Sequence, residues 1–174
     1  MPQESTAAAA ARTDYLTFFS AGEELGVPIL RVREILGLDQ AALTRVPSAP
    51  ACVRGVINLR GSVVPVIDLA IQLGQAPCAI GKLTCVVVVE VASEGELTVM
   101  GLMVDAVNQT MELRADEIDA TPSFGTIARA DYLLGMAQAG KKFVLLLDID
   151  RVLSPDELHG AQRVRETETE AVDG

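Results

Sequence analysis

Few side chains in this 174-residue chain could act as base, nucleophile or metal ligand, and their spacing argues against each role. His159, the sole histidine, stands among the acids Asp156, Glu157, Glu166, Glu168, Glu170 and Asp173, so it reads as a solvated tail residue rather than a general base. Cys52, Cys78 and Cys85 form no CxxC pair and have no histidine within the folded stretch to take a thiol proton. As small apolar residues, Cys52 and Cys85 fit a core. Asp148 and Asp150 suggest a carboxylate pair for a metal, yet they open a helical pattern where capping and the helix dipole explain them. Gly74 and Gly81-Lys82 suggest a phosphate loop, but the spacing is too long and Leu83 follows the lysine where a Ser or Thr is needed. The residues point to a binding protein, with no catalytic group, no cofactor and no metal.

The elements that must present a binding surface are mostly strands. YLTFFS and LGVPIL flank Ala21-Gly22-Glu23-Glu24, a hairpin over 15–30. Arg31 to Leu36 reads as a helical turn, with Val32, Ile35 and Leu36 on one face and Gly37 as its stop. VRGVINL and VVPVIDL surround Arg60-Gly61-Ser62, predicting a second hairpin over 53–68. Pro65 lacks an N–H, so its strand is expected at an edge or with that nitrogen toward solvent. A connector near 74–81 leads to a second β block, LTCVVVVEV and LTVMGLMV about Ser93-Glu94-Gly95. Over 107–113, Val107, Met111 and Leu113 alternate with Asn108, Thr110 and Glu112, Gln109 being out of pattern. Strands over 132–138 and 143–147 and a short helix capped by Asp148 close the domain. About ten short strands with little helix predict an all-β fold of two linked small barrels.

Composition narrows the partners. The formal net charge is -10 and the pI about 4.5, against binding to nucleic acid or an anionic membrane surface. Three widely spaced cysteines fit a reducing cytoplasm better than a secreted disulfide framework; the opening run Ala7 to Ala11 lacks the cationic start and long apolar stretch of a signal peptide, and nothing approaches the ~18 apolar residues of a membrane span. Residues 1–11 and 160–174 lack periodicity and read as mobile tails, the second acidic, around one domain over 12–159.

The segment CVRGVINLRGSVVPVIDLAIQL, Cys52 to Leu73, resembles the central signature of the CheW family, a G-V-[IT]-N-L-R-G turn followed by a P-[VI]-[IV]-D-L strand. The likeness continues through EELGVPILRVREIL upstream and through MGLMVDAV and FVLLLDIDRVL downstream, covering nearly all of 14–153. It implies two linked five-stranded, SH3-like β barrels with a hydrophobic core between them and short helices at the connections and C-terminus. It also implies a non-catalytic adaptor in the bacterial cytoplasm, which couples the cytoplasmic tip of chemoreceptors to the regulatory domain of a CheA-type histidine kinase. Other CheW-like domains are further possible partners, in a ring.

By the same resemblance, Arg60 and Glu34 lie near the docking surfaces, where they can form an ion pair. Val32, Gly55, Asn58, Gly61, Gly101 and Val104 match family positions around those contacts, although the glycines and valines also suit turns and core. Three rival functions stand beside flagellar chemotaxis: an adaptor for a paralogous pathway governing gliding, pili or second-messenger output, a small-ligand sensor or enzyme using the groove between barrels, and a purely structural ring component that does not touch the kinase. The loop 115–130 and the acidic tail are not signature regions, and the resemblance assigns them no role.

Overall fold

The computed structural model describes residues 11–120 and 132–154. The expectations for the N-terminal tail, His159, the acidic tail and most of the loop 115–130 fall wholly or mainly outside these residues. Eleven strands are described: β1 (Arg12–Ser20), β2 (Glu23–Pro28), β3 (Val32–Gly37), β4 (Val53–Leu59), β5 (Ser62–Asp68), β6 (Cys85–Ser93), β7 (Glu96–Val104), β8 (Ala106–Arg114), β9 (Ile118–Asp119), β10 (Leu133–Ala139) and β11 (Lys142–Leu147). They form two curled sheets ordered β8-β1-β2-β11-β10-β9 and β3-β6-β7-β5-β4. The first sheet has six strands rather than five because Ile118–Asp119 adds a two-residue edge beside β10.

Several predicted hairpins form as read. In the turns Ala21-Gly22, Arg60-Gly61 and Glu94-Gly95 both central residues have positive φ, the geometry whose twist suits two-residue hairpins. The helical turn over 31–36 does not form. Only Ile29–Arg31 is a 3-10 turn, and β3 follows with strictly alternating exposure, paired antiparallel to β6. Val32, Ile35 and Leu36 fit a helical spacing, but the β-branched residues and a long valine strand to pair with favour the extended chain. Ile35 is consequently exposed and Glu34 half-buried. Pro65 lies on a strand flanked on both sides, not at an edge. It sits just ahead of Val66–Asp68, the stretch that pairs with β7.

The connector near 74–81 does not divide the two sheets. The second sheet is β3 to β7, and the chain then returns to the first, closed by parallel pairing of β11 with β2 at Leu25↔Leu145 and Gly26↔Leu146. Strands β6 and β11 explain why both sheets share one core. Val87, Val89 and Val91 enter a large cluster with Leu16, Phe18, Leu102, Leu145 and Leu147, while Val86 and Val88 fill the second barrel with Ile57, Val64 and Met103. On β11, Val144 and Leu146 fill the first barrel with Tyr15 and Leu113. An unbroken apolar run is the pattern of a strand buried on both faces, each such side chain contributing about 1.5–3 kcal/mol on burial.

A polar clamp joins the sheets at their crossover. Arg31 donates from Nε to the Glu90 carbonyl at 3.0 Å and grips Asp150 with both terminal nitrogens, while Asp150 Oδ1 also accepts the Ala92 N–H at 2.8 Å. Asp150 belongs to the helix Ile149–Val152. Asp148 precedes that helix but makes no side-chain cap bond. Its Oδ2 instead lies 3.8 Å from Arg151 Nε, and its backbone carbonyl accepts the N–H groups of Arg151 at 3.1 Å and Val152 at 3.0 Å.

Candidate adaptor surface

The β4–β5 hairpin carries the signature residues to one end of the second barrel. Asn58 Oδ1 accepts the Gly61 N–H at 3.0 Å, fixing the turn from within, and Gly61 at φ 85° supplies the backbone it needs. Arg60 at the apex is left 84% exposed. Its Nη2 reaches Glu34 Oε2 on β3 at 3.3 Å, forming the ion pair that the resemblance implies. Beside it, Arg33 Nε bonds Glu90 Oε1 at 2.6 Å. Arg33, Glu34 and Arg60 border a depression of about 370 Å³ lined also by Leu59, Val64 and Val99, with Val63 standing 73% exposed on the β4–β5 hairpin. Exposed ion pairs contribute little to stability because water screens them, but they select partners and orient their approach.

The remaining positions separate by burial. Asn58 and Gly61 stand with Arg60 at the surface, and Val32 is half-buried against the shared core. Gly55, Gly101 and Val104 are buried and offer no surface for direct contact. At Gly55, with φ 152°, an added Cβ would sit 2.3 Å from the Thr44 carbonyl oxygen. This glycine therefore lets Thr44 exchange two backbone hydrogen bonds with Val56 and cover the edge of β4. At Gly101 a Cβ would lie 2.6 Å from Val86 Cγ1, and Val104 is fully enclosed in the shared core. These three residues act through packing. Exposed Arg33 and half-buried Glu90 stand beside this surface but escaped the sequence reading, because 31–36 read as helix and gave no sign that β3 lies beside β6.

The groups weighed for chemistry are engaged structurally. Gly81 donates its N–H to Thr84 Oγ1 at 2.8 Å, a local turn rather than a phosphate cradle. Burial pushes the Cys52 and Cys85 thiols up. Cys78 is pushed up to about 12 by burial and then by its hydrogen bond to Asp105, whose Oδ1 accepts from Sγ at 3.1 Å. Asp68, fully buried, caps the helix Leu69–Gln72 as expected, with Oδ1 accepting from Ala70 at 3.1 Å and Ile71 at 3.5 Å. Its Oδ2 accepts from Arg54 Nη1 at 2.7 Å and from the Cys78 N–H at 2.9 Å, pinning the connector to the barrel.

Comparison with known proteins places this geometry in one family. The model of the CheW-like domain matches residues 14–157. Chemotaxis protein CheW of Klebsiella aerogenes is 35% identical over 145 residues, spanning 83% of this chain and 84% of that protein. Protein FrzA of Myxococcus xanthus is 32% identical over 157 residues, spanning 88% and 94% respectively. Among solved structures, the scaffolding protein TtCheW from Thermoanaerobacter tengcongensis superposes with a TM-score of 0.73 at 26% identity, covering 84% of this chain and 91% of that one. With the signature hairpin, the paired sheets and a match over most of its length, this chain belongs to the CheW-like domain family.

Proposed function

We propose that this protein is a non-catalytic adaptor that couples chemoreceptors to a CheA-type histidine kinase in a cytoplasmic signalling array. The observation that carries the reading is Arg60, an exposed charge at a rigid hairpin apex, paired with Glu34 and flanked by exposed Val63. A charged rim beside apolar contacts suits selective protein binding. The names of the relatives support it, since they include chemotaxis proteins and a scaffolding protein. Such an adaptor does no bond chemistry. It holds receptor and kinase together so that one partner's state biases the other's through differential binding. Among the described residues no helix is long and apolar enough to cross a membrane, so recruitment to receptors would proceed through contacts of this kind.

The test is joint capture of the kinase regulatory domain and a receptor signalling tip by the wild-type chain and by Arg60→Glu. Arg60 lies on the surface, so the variant is expected to keep the wild-type circular dichroism spectrum while losing capture of at least one partner. Unchanged capture of both would overturn the assignment of Arg60. The likeness to FrzA favours a second reading, an adaptor for a paralogous motility pathway. Capture of that pathway's kinase in preference to the flagellar one would select it.

A further inference from the structure

A groove of about 880 Å³ lies at the base of the β4–β5 hairpin, the end opposite its Arg60 turn, between the segment 43–51 and the connector, with Val46, Val53, Ile71 and Ile80 among its walls. Val46 and Ile80 are 43% and 59% exposed, an apolar surface left open to water. Among the described residues its charged lining is cationic: Arg45 and Arg54 border it, with no carboxylate beside them. Arg54 is committed to Asp68, whereas Arg45 makes no ion pair or hydrogen bond among the described residues. A positive, apolar groove is out of character for a chain of net charge -10.

We propose that in the free protein this groove is occupied by the chain's own acidic C-terminal segment, residues 155–174. The point of departure favours it. Gln72 Nε2 bonds the Val152 carbonyl at 2.8 Å, so the chain leaves the described residues beside the helix whose Ile71 forms a groove wall. Twenty further residues, at about 3.3 Å each when extended, more than span the site. The segment carries Asp156, Glu157, Glu166, Glu168, Glu170 and Asp173 against Arg163 and Arg165, with Leu158, Val164 and Val172 to meet the apolar walls. In an extended chain Glu166, Glu168 and Glu170 share one side, so any of them can meet the uncommitted Arg45. A tethered occupant acts at an effective concentration of order mM, so weak contacts suffice, and an acidic segment of a partner would have to displace it.

Spin labelling reads the position of the tail in the full chain. A nitroxide on Ala171→Cys reports the tail, since the three native thiols are buried. Paramagnetic broadening is expected at the amides of Arg45, Val46 and Ile80 and not at Leu134 or Phe143 on the other barrel. It should be independent of protein concentration, fade in about 1 M salt, where the screening length is about 3 Å, and disappear in Arg45→Glu. Uniform broadening, broadening elsewhere, or persistence in Arg45→Glu would overturn the proposal. Broadening that grows with concentration would assign the groove to a second copy instead and equally overturn it.

Discussion

Replacing Asp68 by Asn probes the most heavily used carboxylate of the fold. The amide is nearly isosteric and can still accept the Ala70 and Ile71 N–H groups through its oxygen. Its NH₂ then faces two donors, Arg54 Nη1 and the Cys78 N–H, at positions where the carboxylate accepted both. Breaking a buried ion pair costs about 3–5 kcal/mol, and an unsatisfied buried N–H about 1–3 kcal/mol, a range that overlaps with the first rather than adding to it. The Arg54 side chain is 25% exposed and recovers some hydration, which places the expected loss near the lower figure, about 3 kcal/mol. At roughly 3 °C per kcal/mol for a domain of this size, the melting temperature should fall by about 10 °C. Calorimetry and urea denaturation measure it, with the urea slope unchanged. Arg54→Met in the Asp68→Asn background should cost less than in the wild type, because it removes a guanidinium that has already lost its partner. A loss below about 1 kcal/mol for Asp68→Asn, or additive effects in the double variant, would refute the reasoning.

Gly101→Ala should lower the urea midpoint, by about 1–3 kcal/mol of overpacking strain against Val86 and Val66, and an unchanged midpoint would show that those valines yield freely. Cys78 links stability to alkaline pH. Its thiol is raised from 9.0 to about 12 by burial and by Asp105, so the folded chain keeps a proton that the unfolded chain gives up. The stabilisation is full below pH 9 and is lost as pH rises through about 12. Wild type should therefore be less stable to urea at pH 10 than at pH 7, with a smaller difference in Cys78→Ala; equal differences would contradict this. All three native cysteines should resist a thiol-exchange reagent at pH 8 until the chain unfolds, and rapid labelling of the folded protein would contradict their burial.

Local features were readable in the residues because their causes are local. Arg60-Gly61 and Glu94-Gly95 marked turns, the valine run of β6 marked a buried strand, and Asp68 marked a cap. The errors fall where a remote partner decides. Val32, Ile35 and Leu36 satisfy a helical period as well as a strand, and only the pairing of β3 with β6 resolves them. Asp150, weighed as half of a metal pair, became a clamp because Arg31 arrives from the sheet crossover. The Glu34–Arg60 contact was legible through family likeness, whereas Arg33 and Glu90 depended on strand register. Likewise the capping role of Asp68 was local, but its bonds to Arg54 and Cys78 depend on the path of the connector.

The return of the chain to its first sheet also sets an order for synthesis on the ribosome. The strands β3 to β7 are contiguous, so the five-stranded sheet can assemble as soon as they emerge. The six-stranded sheet cannot close until β11 is made, because Leu25 and Gly26 await Leu145 and Leu146 from nearly the other end of the domain. Until then β2 presents a bare pairing edge, a hazard for association between nascent chains. A ribosome stalled after β7 should carry a protease-resistant core, whereas the Tyr15–Pro28 hairpin gains protection only after the last strand has left the exit tunnel.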